Sequence, residues 1–361
     1  MTAVALDQVA LEHLPALARG CAILGTGGGG DSYVGHLIAR QALEDHGPVD
    51  LIRVEDLPAR GTVMPLGMVG APTVALEKLP NGNEAVRLRE HVEEKLGKEI
   101  VAIMASEIGG SNGVEPVAFA AQLGLPLLDA DSMGRAFPEV HMVSQHVAGI
   151  EPDAIAISDA TGNVVTLRAT TGQWAERIAR AVTVAFGGTS LMADYLLDVA
   201  QVPGAVVEGS VSRAIAIGRA LEDTSQEPVD ALVAELGAFR LLEGKIVDVE
   251  RTTRGGFVRG SVAIEGTGAQ AGRLLRLEIQ NENLAAFEDG EVVACVPDLI
   301  TVVDTQTGDA VPTELLRYGR RVSVLAFPCD PIWRTPRGLE TVGPGAFGYD
   351  FPFVPVEELH A

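Results

Sequence analysis

Three short stretches of this 361-residue chain bring together residue types that do chemistry. The run Gly25-Thr26-Gly27-Gly28-Gly29-Gly30, followed by Asp31, lets backbone lie close against a ligand or another segment. Ser106-Glu107, with Asn112 five residues on, stands where an apolar run gives way to a glycine-containing loop. Asp129-Ala130-Asp131 closes another apolar run, and its carboxylates, two residues apart, share one face of an extended strand. Such a pair repels itself unless it shares a proton, meets a cation or faces solvent. Glu139 and His141 repeat the spacing, with His146 close behind. Asp, Glu and His together are ligands that zinc or a similar divalent ion takes, and such an ion would activate water. No HExxH spacing is present. Singly, each residue also fits a helix cap or a solvated loop acid; as a set at strand ends they point to a site.

The glycine run also satisfies GxGxxG, and Glu55-Asp56 ends the next apolar run, where a ribose-binding acid belongs. Against a nicotinamide cofactor, Asp31 puts a carboxylate where the pyrophosphate would sit. Asp31 or Ser32 is more naturally an N-cap, and four consecutive glycines exceed what the fingerprint needs. A small-molecule contact and a ligand-free tight turn are the remaining readings.

The elements that must position these residues follow from periodicity. The first half alternates apolar runs with helical patterns, the mark of βα units. Residues 21–25 (CAILG) read as a short buried strand entering the glycine run, 33–43 as a helix and 49–57 as a strand. A polar-faced helix over 83–97 ends at Gly97. A strand over 99–110 runs into a loop, a helix follows over 114–124, and 125–134 is a strand with its loop. Residues 155–170 form a hairpin turning at Thr161-Gly162-Asn163; 171–188 and 212–222 are helical. Beyond about residue 244 strand patterns dominate, beginning with a hairpin that turns at Gly255-Gly256. In this half Gln280-Asn281-Glu282-Asn283 interrupts an apolar strand, where polar side chains either cap a turn or reach into a site. Trp333 and Trp174 read as packing residues, and Cys329, in FPCDP, has no base nearby in sequence. The expected fold class is α/β, with a mainly parallel sheet in an N-terminal domain (1–170) and a helical then β-rich C-terminal domain (171–361).

Composition narrows the partners. Acidic residues outnumber basic ones 49 to 27, a net charge of −22, which repels phosphate backbones and argues against nucleic acid. Hydrophobic residues at 47% and charged ones at 21% describe a globular chain, and aromatics at 4% leave its core to Ala, Val, Leu and Ile. Three cysteines without CxxC spacing suit a reducing cytoplasm. No basic n-region or long apolar run suggests export or a membrane partner. The many Ala and Gly residues are compatible with close subunit packing, and a homo-oligomer is expected.

Taken in order, LGTGGGGDSY (24–33), EIGGSNGVEP (107–116), LPLLDADSMGRAFPEVHM (125–142), SRAIAIGRA (212–220), QNENL (280–284), VPDLI (296–300), RYGRRVSVL (317–325) and LETVGPGAFGYDF (339–351) resemble the S-methyl thiohydantoin desulfurase family over nearly the whole chain. The resemblance implies an N-terminal α/β domain and a β-rich C-terminal domain, with the boundary near residue 170. It also implies hydrolytic loss of methanethiol from an S-methylated thiohydantoin ring, leaving a hydantoin. Its association with hydantoinase and oxoprolinase systems implies, as the alternative, a non-catalytic hydantoinase partner subunit. Site assignments rest on the residues themselves. Glu107, Asp129, Asp131 and His141 are the expected catalytic groups. Asp129, Asp131, Glu139 and His141 are the expected ligands of a divalent metal such as zinc. Gly27, Gly28, Gly29, Gly30, Asp31, Asn112 and Glu282 are the expected contacts to a hydantoin-like small molecule.

Overall fold

The computed structural model describes residues 6–70, 74, 77–222, 225–254 and 257–361. The expected turn at Gly255-Gly256 lies outside the described residues. The chain opens with β1 (Gln8–Val9) and enters α1 (Leu14–Leu24) through Pro15, placed in the first turn where its missing amide costs nothing. The strand expected over 21–25 is therefore corrected: residues 21–24 finish a helix, so the glycine run follows a helix and the GxGxxG pattern loses the strand it requires. After the run comes α2 (Ser32–His46), capped by Asp31, whose Oδ1 accepts from Tyr33 N at 2.9 Å.

The next elements are β2 (Val49–Ile52), β3 (Thr62–Gly70), α3 (Glu84–Leu96), β4 (Ile100–Ala105), α4 (Ser111–Leu123) and β5 (Leu127–Asp131). Helices α3 and α4 stop at Gly97 and Gly124, both in the left-handed conformation that a helix end favours. β6 (Ile155–Ser158) and β7 (Val164–Leu167) form the hairpin across 161–163. Helix α5 (Gly172–Ala185) is capped by Thr171, and β8 (Thr189–Ala193), β9 (Leu197–Asp198) and β10 (Val207–Glu208) follow. Helices α6 (Ser210–Ala220) and α7 (Pro228–Leu236) lead to the second half.

The first sheet runs β1-β2-β5-β4-β3-β8-β6-β7, with β10 on β5 and β9 on β3. Its centre, β2-β5-β4-β3, is parallel, and the flanking pairings are antiparallel. It draws strands from both sides of residue 170. The helix at 14–24 escapes sequence recognition because α1 touches α6 backbone to backbone. A Cβ on Gly20 would come 1.8 Å from the Ala214 carbonyl oxygen, and one on Gly218 would come 1.9 Å from that of Ala16. A helix buried this deeply loses its polar face, and its short apolar run reads equally well as a strand.

The second sheet comprises β11 (Phe239–Arg254), β12 (Phe257–Gly266), β13 (Leu274–Gln280), β14 (Glu282–Glu288), β15 (Glu291–Cys295), β16 (Leu299–Asp304) and β17 (Arg321–Phe327). Its order is β15-β14-β13-β12-β11-β17-β16, antiparallel throughout. β13 shows why: Leu275, Leu277 and Ile279 point into a core with Ile264 and Val324, while Leu274 and Arg276 face out. The fold is thus α/β with a β-rich C-terminal half.

The two sheets meet at the glycine run. Asn283 N and Nδ2 each donate to Thr26 O at 2.9 Å, and Thr313 N donates to Gly27 O at 3.0 Å. Arg135, fully buried, donates to Thr26 Oγ1 at 2.9 Å and to the carbonyls of Pro297 and Asp298 at 2.8 and 3.0 Å. Among the described residues no helix is long and apolar enough to cross a membrane.

Candidate functional site

Beyond the carboxyl ends of β3 and β4, under the glycine run and the start of β14, lies a cavity of about 180 Å³. The crevice outside the carboxyl ends of parallel strands is where such sheets hold ligands. Glycines keep it open. Gly29 (φ 80°) presses on the 109–110 backbone so closely that a Cβ would stand 2.2 Å from Gly109 O. Gly29 O and Gly30 O accept from Asn112 N and Ser111 N at 3.2 and 3.3 Å, so the run satisfies the first free amides of α4.

Four buried carboxyl groups line this cavity. Glu107 follows β4; its Oε1 accepts from Asn112 Nδ2 at 2.6 Å and its Oε2 from Phe137 N at 3.3 Å. Burial pushes its pKa up to about 8 against those two hydrogen bonds, with the charges of Asp131 and Asp194 adding to the rise. Asp194 follows β8 and accepts from Ser106 Oγ at 2.8 Å; burial pushes it up to about 7. Tyr195, next in the chain, holds φ at 32°, a strained value for a bulky residue at the turn that aims Asp194. Glu115, on α4, accepts from Ser111 Oγ at 2.6 Å and is likewise pushed by burial up to about 7. Glu282 begins β14 and is 3% exposed; its Oε2 has no hydrogen-bond partner among the described residues. Burial, then the charge of Glu107, hold Glu282 well above the usual carboxylate range.

Of the residues singled out in the sequence, Gly28, Gly29, Gly30, Asp31, Glu107, Asn112, Glu139 and Glu282 line the cavity. Asn112 is fully engaged, since its amide also grips β3 by accepting from Met68 N (2.7 Å) and donating to Met68 O (3.2 Å). Gly27, Asp129, Asp131 and His141 stand outside the cavity lining. The Gly27 carbonyl is held by Thr313. Asp129 turns to the start of α6, accepting from Ser212 N at 3.0 Å and Ser212 Oγ at 2.5 Å. Asp131 Oδ2 gathers the amides of Ile108, Met133 and Gly134 at 2.8, 3.0 and 2.7 Å, which shapes the loops carrying Glu107 and Met133. Burial still pushes Asp131 up to about 7. His141 Nδ1 lies 3.5 Å from Glu139 Oε2, and burial lowers its pKa.

The four expected metal ligands are thus divided. Asp129 and Asp131 serve backbone and helix end, while Glu139 lines the cavity with His141 beside it. Among the described residues no three His, Cys, Asp or Glu side chains are grouped to hold an ion.

Sequence reasoning passed over Asp194 and Glu115. Asp194 had a signal, an acid directly after the apolar run 191–193. Glu115 had none, because a glutamate in a helix is ordinarily solvated. Trp333 is fully buried, donating from Nε1 to Met133 O at 2.7 Å, whereas Trp174 is half exposed, so its reading as a packing residue is corrected. Cys329 is buried beside Asp298, and both burial and that charge push its thiol up, away from nucleophilic use.

Fold and site together define a two-sheet α/β protein with an acid-lined, small-molecule-sized cavity closed by its second sheet. The sequence profile of the S-Me-THD-like N-terminal domain matches residues 12–169 and that of the S-Me-THD-like C-terminal domain matches residues 170–356. The chain therefore belongs to the S-Me-THD-like, that is S-methyl thiohydantoin desulfurase, family. A crystal structure of a protein from Chromobacterium violaceum shares the fold, with a TM-score of 0.79 over 97% of this chain and 100% of that one, at 23% identity. None of the curated proteins compared matches the chain.

Proposed function

We propose that the protein hydrolyses an S-methyl thiohydantoin-like ring to a hydantoin and methanethiol, using Asp194 as general base and Glu107 as general acid. The observation that carries this reading is that two buried carboxyl groups line one cavity, Asp194 held by Ser106 Oγ at 2.8 Å and Glu107 by Asn112 Nδ2 at 2.6 Å, both with pKa values raised by burial toward neutral pH. Two carboxyl groups that titrate near neutral pH in one cavity can serve as general base and general acid. A cavity of about 180 Å³ suits a substituted five-membered ring.

The residues balance the reaction. Asp194 takes a proton from water as the water oxygen bonds to the ring carbon bearing sulfur. The electron pair of the carbon–nitrogen double bond moves to nitrogen, which takes the proton of Glu107. The carbon–sulfur bond then breaks with its electron pair on sulfur, and the thiolate takes the proton held by Asp194. The new hydroxyl gives its proton to Glu107, leaving the ring carbonyl and both carboxyl groups restored. Asn112 and Ser106 hold the two carboxyl groups in place.

The test is thiol release from S-methyl thiohydantoins by the purified protein, with Asp194→Asn and Glu107→Gln as controls. Turnover by the wild type and loss in both variants is the expected result. No thiol release, with the protein retained on an immobilised hydantoinase, would move it to the partner-subunit role.

A further inference from the structure

We propose that Glu282 is a catalytic residue of the second sheet: its carboxyl group hydrogen-bonds a ring heteroatom, so that one active site is built by both sheets. The inference rests on the hydrolase reading above and adds to it the group that holds the ring.

Three independent features place Glu282 there. Asn281, at φ 59°, makes the tight turn that joins β13 to β14, pairing Gln280 with Glu282 and setting Glu282 over the glycine run. Gly28 makes room for it, since a Cβ at that position would stand 2.1 Å from Glu282 Oε1 and 2.8 Å from its Cγ. The neighbouring Asn283 and Thr313 fasten this arrangement by binding the carbonyls of Thr26 and Gly27, which fixes the backbone that carries Glu282 against the glycine run.

The carboxyl group lines the cavity, is 3% exposed and leaves Oε2 buried with no partner among the described residues. A buried polar atom without a partner, on a side chain that lines a cavity, is one whose desolvation a ligand there would relieve. Burial opposes ionisation of Glu282 more than the nearby buried Arg135 guanidinium favours it. A carboxyl group kept neutral is a hydrogen-bond donor, and negative charge developing on the ring as water adds would strengthen that bond in the transition state. Asn112, the other polar side chain beside Glu107, already spends its amide on Met68 and Glu107 and has no donor to spare.

The test uses the full chain with Glu282→Gln, which keeps a donor of the same shape, and Glu282→Ala, which removes it. Thiol release is measured together with calorimetric binding of the hydantoin product, and thermal unfolding checks the fold. The expected result is a fall in kcat of about 10²-fold for the Ala variant with a smaller change in KM, and a fall of no more than about tenfold for Gln. Hydantoin binding should weaken with Ala and stay near the wild-type value with Gln. Wild-type turnover with the Ala variant equally active and equally tight for hydantoin would overturn the role of Glu282 alone. A wild type that neither releases thiol nor binds hydantoin would overturn the hydrolase reading and this inference together. Hydantoin binding without thiol release would overturn the hydrolase reading and with it the catalytic role of Glu282, leaving Glu282 a binding residue only if Ala, and not Gln, weakens that binding.

Discussion

Ser106 Oγ donates to Asp194 Oδ1 across 2.8 Å, tying the end of β4 to the end of β8 inside the cavity. The bond favours the ionised form of Asp194 and so opposes the burial that raises its pKa. Ser106→Ala should let that pKa rise further above about 7. A base works only when ionised, so the acid limb of the pH–kcat profile should move to higher pH in this variant. Asp194→Asn should lose about 10²–10⁴ of the rate at every pH. An acid limb that stays in place in Ser106→Ala would remove Asp194 from the base role.

The proton donor sets the other limb. With Glu107 at about 8, activity should decline above that pH as the donor ionises. Glu107→Gln should lower turnover about 10²–10⁴-fold and abolish the limb. Asn112→Ala removes the hydrogen bond to Oε1 that favours ionised Glu107, so the alkaline limb should shift upward. A downward shift would contradict the assignment.

Stability should depend on pH in the direction opposite to that of ordinary paired carboxylates. Glu107, Glu115, Asp131 and Asp194 fold with pKa values raised to about 8, 7, 7 and 7, from ordinary values of 4.5, 4.5, 3.8 and 3.8. Between those limits the native chain binds more protons than the unfolded one, and stability therefore falls as pH rises. Their contribution is fully present below about pH 4 and is lost as pH passes through 7 to 8. Scanning calorimetry should give a lower Tm at pH 8.5 than at pH 5.5, and Glu115→Gln should narrow the gap. A Tm that climbs over this span would refute the account.

Two adjacent glycines should fail differently. A Cβ on Gly28 meets the flexible carboxyl end of Glu282, so Gly28→Ala should fold, displace Glu282 and lower turnover. A Cβ on Gly29 meets the Gly109 backbone, and φ is 80° there, so Gly29→Ala should destabilise by about 1–3 kcal/mol or more. Urea unfolding and thiol release, measured on both variants, separate the two effects. Equal loss of stability in both would show that Gly28 serves packing alone.

Much of the frame was legible in the sequence. The helices ending at Gly97 and Gly124, the hairpin across 161–163 and the antiparallel second half follow from local rules of capping, turn chemistry and period-2 alternation. The glycine run, Glu107 and Asn112 were recognisable because glycine and polar residues at the end of an apolar run are locally unusual. Residues 14–24 defeated the same rules, since burial against α6 removed the polar face that betrays a helix.

Spacing alone places Asp129 and Asp131 on one side of a strand, a pairing that a divalent cation would also satisfy. Which groups those carboxylates meet is a matter of long-range approach: α6 brings Ser212 to Asp129, and the loop amides of Ile108, Met133 and Gly134 close on Asp131. Asp194 and Glu282 reach the cavity from positions 87 and 175 residues beyond Glu107 in the sequence, by strand pairing and by the clasp on the glycine run. The sequence determined the elements and which of their ends carry polar groups, because these depend on residues a few positions apart. Only the tertiary structure decided which carboxyl groups share one cavity, because burial and mutual charge, which set their pKa values, arise between residues far apart along the chain.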